Sequence, residues 1–131
     1  ISDNLFIMSN CIFCNLPKDR VVFENDLAIA IYDGFPVTDL HALIIPKRHT
    51  ENYFKLTNNE LFSCNQLLKE FEIEVNKKDN LVQGFNIGIN TGDVAGQTIF
   101  HCHIHLIPRR QGDVDNPRGG VRNIIPGKGD Y

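Results

Sequence analysis

The sequence predicts an α+β domain in which an antiparallel sheet of about five strands packs against one long helix. Two observations predict it. Short apolar runs are separated by turn residues along most of the chain, and one longer stretch has helical periodicity behind a capping signal. With 131 residues, 42% of them apolar, the chain suffices for one packed core and gives no reason for a second domain.

The strand predictions follow the chain. Val21–Tyr32 contains two β-prone runs around Glu24–Leu27, where Asn-Asp suits a hairpin turn. His41–Pro46, HALIIP, is apolar and ends at proline, which makes it strand-like. Gly84–Asn90 alternates apolar with polar residues, and IFHCHIHLIP, Ile99–Pro108, supplies the last strand.

One helix is predicted to begin after Thr57. Thr57 and Glu60 have the T-x-x-E spacing of a capping box, in which each side chain satisfies a backbone donor at the start of the helix. Three- and four-residue steps then define an apolar stripe that should lie on the sheet. Its members are Leu61, Cys64, Leu68, Phe71 and Val75.

The two ends of the chain differ from its centre. Met8 is the only methionine, and MSNCIFC resembles a natural start, so residues 1–7 are predicted to come from an expression vector. Residues 8–131 are then one domain. Its last part, residues 109–131, is polar and rich in Gly and Pro, and we expect a largely irregular C-terminal tail.

The charge, apolar stretches and cysteines of the chain limit the kinds of partner and location that we expect. The formal net charge of −3 gives no long-range attraction to a nucleic-acid backbone, so polymeric DNA or RNA is not expected as a partner. No apolar stretch approaches the roughly 18–20 residues that span a bilayer, and the opening residues do not form a signal peptide. The four cysteines lack the spacing of a secreted disulfide framework, which predicts a reducing, cytoplasmic location.

Three histidines alternate in the last predicted strand. His101, His103 and His105 should project from one face, with Cys102, Ile104 and Leu106 turned to the core. Such a cluster can attack phosphorus with one ring and stabilise phosphoryl oxygens with the others. A metal triad is the main alternative, because imidazole is a common zinc ligand, and purely structural histidines are a weaker one.

The glycine-rich loop NTGDVAGQT lies directly before these histidines. Gly92 and Gly96 permit tight turns, and a run of backbone N–H groups makes an anion cradle to which Gln97 and Thr98 add side-chain donors. An ordinary turn would look similar. A phosphate-binding loop beside a histidine strand favours phosphoryl chemistry over a bare metal site.

The run NTGDVAGQTIFHCHIHLIPR resembles the signature of the histidine-triad (HIT) family, H-x-H-x-H after a loop with G-Q-[ST]. DLHALIIPKRH resembles that family's strand leading to an apolar-Pro-Lys stretch and a histidine. The resemblance spans Cys11 to about Arg110 and favours a bacterial-type branch. It implies a HIT-like fold whose sheets join in a two-fold homodimer, and a hydrolase or transferase of nucleotides that needs no redox cofactor.

The resemblance also implies roles for matching residues. The nucleophile is His103, which attacks the α-phosphate of a nucleoside phosphoramidate, adenylyl conjugate or dinucleoside polyphosphate and forms a nucleotidyl-histidine that water hydrolyses. His105 contacts the phosphate, and His41 lies beside the triad. A purine nucleotide is the favoured substrate. Its expected binding residues are Asp33 for the ribose hydroxyls, Asn90 for ribose or phosphate, and Gly96, Gln97 and Thr98 for the α-phosphate.

Cys11 and Cys14 form a C-x-x-C pair, the short spacing used by zinc sites. His49 and His101 are the available further ligands. Some branches of the superfamily, including the galactose-phosphate uridylyltransferases, resemble this arrangement, which implies a structural zinc. An unmetallated pair or a redox pair is the alternative.

Two other functions stay open at the level of sequence. One is a nucleotide-binding regulatory module with incidental activity, and the other is a metal-dependent hydrolase that uses the triad as ligands. The substrate cues also conflict: Pro108-Arg109 resembles dinucleoside-polyphosphate hydrolases, whereas the CIFC opening and the tail resemble bacterial members tied to no single substrate. Arg118, Arg122 and Lys128 either reach a partner's pocket or belong to a disordered tail.

Overall fold

The computed structural model describes residues 7–131, so of the predicted vector-derived residues all but Ile7 lie outside the described part. Five strands and one long helix form the domain, and neighbouring strands are antiparallel in the order β1-β2-β3-β5-β4. This architecture confirms the predicted fold class. The elements are β1 Val21–Glu24, β2 Ala28–Tyr32, β3 Ala42–Pro46, α1 Asn58–Lys78, β4 Val82–Gly88 and β5 Ile104–Arg110.

Helix α1 begins where the capping signal predicted. The Glu60 backbone N–H donates to Thr57 Oγ1 at 3.1 Å, and the Thr57 N–H donates to Glu60 Oε1 at 2.8 Å. Arg48 also holds the Glu60 carboxylate through two hydrogen bonds, and these contacts lower the pKa of Glu60 to about 2. Through its bonds to Glu60, Arg48 connects the start of α1 to the segment that follows β3.

The buried stripe of α1 differs from the predicted one at two positions. Leu67 is fully buried, whereas Leu61 and Leu68 are half-buried at the edges of the helix face. The sequence is ambiguous here because Leu67 and Leu68 both continue a three- or four-residue step. In the structure Leu67 is the one that packs against the sheet, together with Cys64, Phe71 and Val75.

Strand alternation gives the sheet two apolar faces. The face toward α1 carries small residues at its centre, which let Phe71 approach closely; they are Ala28, Ala30 and Ala42. The opposite face carries Ile31, Leu43 and Ile45, which pack with Phe13 from the N-terminal segment. One face therefore holds the helix, and the other is left to the N-terminal segment and to the histidines.

The last strand is shorter than predicted. It begins at Ile104 rather than at Ile99. The neighbouring strand β3 ends at Pro46, and the backbone before Ile104 forms no ladder with it. The Cys102 N–H donates to the Thr50 carbonyl at 2.7 Å instead of to a neighbouring strand. His101 and His103 consequently precede β5, and only His105 lies within it.

Beyond Arg110, the described chain contains one 3-10 helix, Gly120–Ile124, which lies against β4. Arg122 stacks over the Tyr131 ring, and the Arg118 guanidinium lies over the same ring and donates to the Tyr131 carbonyl. These contacts hold the Arg118 and Arg122 side chains within the tail itself. Among residues 7–131, no helix has the length and apolar character that a bilayer span requires.

Candidate active site

The ring of His103 is fixed in one tautomer. Its Nδ1 lies 2.8 Å from the His101 carbonyl oxygen, and a carbonyl can only accept, so Nδ1 carries the proton. Nε2 then keeps its lone pair. The ring lines a cavity of about 680 Å³, and Phe13 contacts it edge-on at a centroid distance of 5.1 Å. The acceptor that fixes the tautomer is therefore the backbone of the first triad histidine.

His105 and His41 form a second chain of hydrogen bonds with the opposite tautomer. The Val37 backbone N–H donates to His41 Nδ1 at 3.1 Å, so His41 carries its proton on Nε2. That nitrogen lies 2.9 Å from His105 Nδ1 and donates to it. His105 must then carry its own proton on Nε2, which makes it a hydrogen-bond donor in the cavity.

The environment keeps these two rings neutral. Burial, together with the charges that His103 and His41 would carry, lowers the pKa of His105 to about 4, against the opposing effect of Asp33. Burial also lowers the pKa of His41, although Asp33 Oδ2 lies 3.5 Å from its Nε2 and favours the charged form. A neutral His105 donates one hydrogen bond without carrying a full charge.

Asp33 and Asn90, which the resemblance assigns to nucleotide binding, lie beside the same cavity as His103. Both line the cavity, and the Asp33 side chain is largely buried. Asp33 Oδ1 accepts from the Phe35 backbone N–H at 2.8 Å, which fixes the carboxylate at the turn after β2. Leu40, just before His41, has a φ of 70°, an unfavourable conformation for a leucine.

The glycine-rich loop is held mainly by its own hydrogen bonds. Gly92 and Gly96 have φ values of 95° and 92°, which glycine adopts readily. The Gln97 side chain is buried and spans the loop: its Oε1 accepts from the Gly92 N–H, and its Nε2 donates to the carbonyls of Glu51 and Ile99. Thr98 lines the cavity, whereas Gly96 and Gln97 shape the loop behind it.

A cluster of two cysteines and two histidines includes the first histidine of the triad. Four potential ligand atoms, from Cys11, Cys14, His49 and His101, lie within 4.8 Å of one another. His101 Nδ1 is 3.2 Å from His49 Nδ1, 3.4 Å from Cys11 Sγ and 3.5 Å from Cys14 Sγ. Because His101 Nε2 donates to the Pro46 carbonyl at 2.7 Å, Nδ1 directs its lone pair into the cluster.

The structure therefore divides the triad between two places. His101 belongs to the cysteine cluster, and His103 and His105 belong to the cavity. Among the described residues, no group of three or more potential metal-ligand atoms includes His103. Phe13 is the contact that sequence reasoning missed, and its place between the two cysteines was the available signal.

Known proteins resemble this chain in sequence and in fold. The HIT domain family matches residues 16–112, and the chain accordingly belongs to the HIT family. An uncharacterized 16.1 kDa HIT-like protein of Mycoplasma pneumoniae is 38% identical over 77% of this chain and 72% of its own length. The adenylylsulfatase HINT3 of Arabidopsis thaliana is 31% identical over 82% of this chain and 56% of its own length.

A solved structure shows the same likeness. The Zn-bound histidine triad family protein from Mycobacterium smegmatis is 30% identical and superposes with a TM-score of 0.72 over 81% of this chain and 79% of that one.

The tautomer of His105 gives the first prediction. In long-range ¹H–¹⁵N NMR spectra, His105 should be protonated on Nε2 alone and remain neutral down to about pH 4. The unfolded chain binds this proton below about pH 6.5, so the free energy of unfolding should fall as the pH drops from 6.5 toward 4. The same histidine in urea provides the control. Titration of folded His105 near pH 6.5 would contradict the prediction.

Proposed function

We propose that this chain is a nucleotidyl hydrolase or transferase in which His103 Nε2 attacks the α-phosphorus of a nucleotide conjugate. One observation carries the proposal: the bond from His103 Nδ1 to the His101 carbonyl leaves the Nε2 lone pair free, on a ring that lines a large cavity. A neutral imidazole held in this way is a nucleophile that needs no proton removed before it attacks.

The reaction proceeds in two displacements. The Nε2 lone pair forms a bond to phosphorus, and the bond from phosphorus to the leaving group breaks and gives its electron pair to that group. In the second step the oxygen of water, or of another hydroxyl acceptor, forms a bond to phosphorus and releases its proton to solvent, while the electron pair of the N–P bond returns to Nε2. His103 thus begins and ends each cycle neutral, with its proton on Nδ1.

His105 acts on the phosphoryl oxygens. Its Nε2–H is a donor in the cavity because His41 occupies Nδ1. A donor held in place before the reaction stabilises charge that develops on an oxyanion, and no reorganisation is needed at that moment. His41, buried and bonded to the Val37 N–H, is a positioning residue that sets the tautomer of His105.

The cavity supplies a nucleoside site next to this phosphate position. Asp33 presents a carboxylate that can accept from ribose hydroxyls, while Asn90 and Thr98 provide polar groups for ribose or phosphate. Ile31, Leu43 and other apolar residues line the cavity and suit a flat purine base. Gly96 and Gln97 contribute by shaping the loop that presents Thr98.

The named relatives support an enzyme of this class. One relative is an adenylylsulfatase, a name that describes cleavage of an adenylyl conjugate, and another, from Candida albicans, is named a histidine triad nucleotide-binding protein. A regulatory module would need the same nucleoside cavity. A regulatory module would not need the fixed tautomers of His103, a potential nucleophile, and of His105, a donor beside it. These two histidines therefore favour the enzyme.

A covalent adduct tests the proposal. Brief incubation with adenosine phosphoramidate labelled at phosphorus should leave an acid-labile nucleotide on His103, found by acid-free peptide mapping. His103→Ala should lose the adduct and at least about 10³-fold in turnover. Asn59→Ala, an exposed change on α1, serves as the control and should keep both. Full turnover by His103→Ala, without an adduct in the wild type, would refute the proposal.

We also propose that Cys11, Cys14, His49 and His101 hold a structural zinc. Tetrahedral zinc with ordinary Zn–N and Zn–S lengths separates its ligands by about 3.3 Å between nitrogens and about 3.6 Å between nitrogen and sulfur. The N–N distance of 3.2 Å and the N–S distances of 3.3–3.5 Å are close to these values. Burial and the neighbouring Cys11 thiol raise the pKa of Cys14 to about 11, so zinc binding must displace a proton.

Metal analysis of purified protein tests this site. The wild type should contain about one equivalent of zinc and Cys14→Ser less than half. The unfolding temperature of Cys14→Ser should also fall, because the ligand binds the folded state. Cys64→Ala, which removes a buried cysteine far from the cluster, is the matched control and should keep its zinc. A zinc-free wild type with freely alkylated Cys11 and Cys14 would exclude the site.

We propose that two copies pair through β4. This strand lies at the edge of the sheet, where its outer backbone groups can bond to another chain. An antiparallel copy of the same strand would create a two-fold interface and one continuous sheet. Light scattering should give twice the mass of one chain. Ile87→Pro should shift the mass toward the monomer, because the alternation that pairs Gly88 with His105 of β5 turns the Ile87 N–H to the outer edge. A monomeric wild type would contradict the pairing.

Two further expectations remain predictions. These are the domain start at Met8, with a largely irregular region from 109 to 131, and a cytoplasmic location. All four cysteines are free, as a reducing compartment would leave them.

A further inference from the structure

The connection between β2 and β3, residues 33–41, contains the backbone group that sets the tautomers of two histidines. The Val37 N–H donates to His41 Nδ1 at 3.1 Å, so His41 carries its proton on Nε2. His41 then donates to His105 Nδ1 at 2.9 Å. The donor that His105 presents to the cavity therefore depends on where the connection places the Val37 N–H.

Without the Val37 bond, His41 is free to take the other tautomer. A proton on His41 Nδ1 leaves a lone pair on its Nε2, which would accept from His105 Nδ1 and leave His105 Nε2 without a proton. His105 would then turn a lone pair toward phosphoryl oxygens that need a donor. Asp33 Oδ2 lies 3.5 Å from His41 Nε2 and favours a proton there, so we expect loss of the Val37 bond to give a mixture of tautomers.

Side-chain packing does little to hold the segment that carries the Val37 N–H. The side chains of Phe35 and Val37 are largely exposed. Leu40, later in the same connection, has a φ of 70°, a conformation that costs free energy in a residue other than glycine and persists only where surrounding contacts hold it. The connection therefore needs other attachments to keep its shape.

Hydrogen bonds supply these attachments. Within the connection, the Asp33 N–H donates to the His41 carbonyl at 2.8 Å, and the His41 N–H donates to the Thr38 carbonyl at 3.1 Å. Arg110 of β5 adds a bond from outside, since its Nη2 donates to the Asp39 carbonyl at 2.9 Å. These bonds close the connection on itself and join its second half to β5.

The Thr38 side chain makes the attachment that lies next to Val37. The ladder between β3 and β5 ends at the pair Ala42 and Leu106, so Pro108 lies beyond it. The Thr38 hydroxyl donates to the Pro108 carbonyl at 2.7 Å. This bond takes the place of a ladder bond and fixes the peptide that adjoins the Val37 N–H.

We propose that Thr38 is a positioning residue that keeps His105 a hydrogen-bond donor. The bond from its hydroxyl to the Pro108 carbonyl holds the preceding N–H on His41. His41 in turn keeps the proton of His105 on Nε2. The part of this inference that concerns turnover rests on the proposed function, in which His105 donates to phosphoryl oxygens, whereas the part that concerns the tautomer rests on the hydrogen bonds alone.

The tautomer and the kinetics of one variant test the inference together. Thr38→Val removes the hydroxyl donor and keeps a branched side chain, so long-range ¹H–¹⁵N NMR spectra should show His105 protonated on Nδ1 in most of the molecules. With adenosine 5′-phosphoramidate, kcat should fall about 3- to 10-fold while KM stays within about 2-fold, because the lost donor acts on the transition state.

Two further variants separate positioning from stability. Thr38→Ser keeps the hydroxyl donor and should keep the wild-type tautomer, with kcat within about 2-fold of the wild type. Thr57→Val removes a different threonine hydroxyl, which accepts from the Glu60 N–H at the start of α1. It should lower the unfolding temperature and leave the His105 tautomer and kcat unchanged. If Thr38→Val does not fold, Thr38→Ala removes the same donor and adds no bulk.

The inference and the proposed function fail in different ways. A wild-type tautomer of His105 in folded Thr38→Val or Thr38→Ala would overturn the role of Thr38, as would equal losses of kcat in Thr38→Ser and Thr38→Val. If the wild type forms no adduct on His103 and turns over no nucleotide conjugate, the proposed function is wrong, even where Thr38→Val shifts the tautomer. If the adduct forms but Thr38→Val keeps the wild-type tautomer, only the role of Thr38 is wrong.

Discussion

The site depends on the placement of His101. Its ring Nε2 donates to the Pro46 carbonyl at the end of β3, and its Nδ1 faces Cys11, Cys14 and His49. Its backbone carbonyl accepts the Nδ1 proton of His103. One residue therefore connects the sheet, a potential metal cluster and the ring that we propose as nucleophile. A disturbance of the cluster would reach His103 through this backbone oxygen and through Phe13, which contacts the His103 ring.

His103 and His105 carry their ring protons on different nitrogens, because each ring has a different hydrogen-bond partner. A backbone carbonyl takes the Nδ1 proton of His103, whereas the Nε2 proton of His41 occupies Nδ1 of His105. The first ring offers a lone pair to the cavity, and the second offers a proton. Both roles require neutral rings, and burial favours neutrality at His105 and His41. The chemistry thus depends on hydrogen bonds made behind the rings, away from the substrate.

The two faces of the sheet have separate tasks. Strand alternation sends Ala30, Ala42 and Leu106 to the face that packs against α1. It sends His105, Leu43 and Ile31 to the face that holds the cavity. The same strands therefore supply the packing against α1 and the lining of the cavity through different side chains. The tail borders a second cavity, which shares His105 and Asn90 with the first.

The sequence by itself determined the α+β class and the capping box of α1, because strand patterning, helix periodicity and capping are local properties of the chain. A family signature further indicated Cys11, Cys14, His49 and His101 as one group. Only the tertiary structure decided that Leu67 rather than Leu68 enters the core, and that the last strand begins at Ile104. It also placed the Gln97 side chain inside the loop and Phe13 against His103. Each of these depends on which groups meet across long separations in sequence, and no local pattern records such contacts.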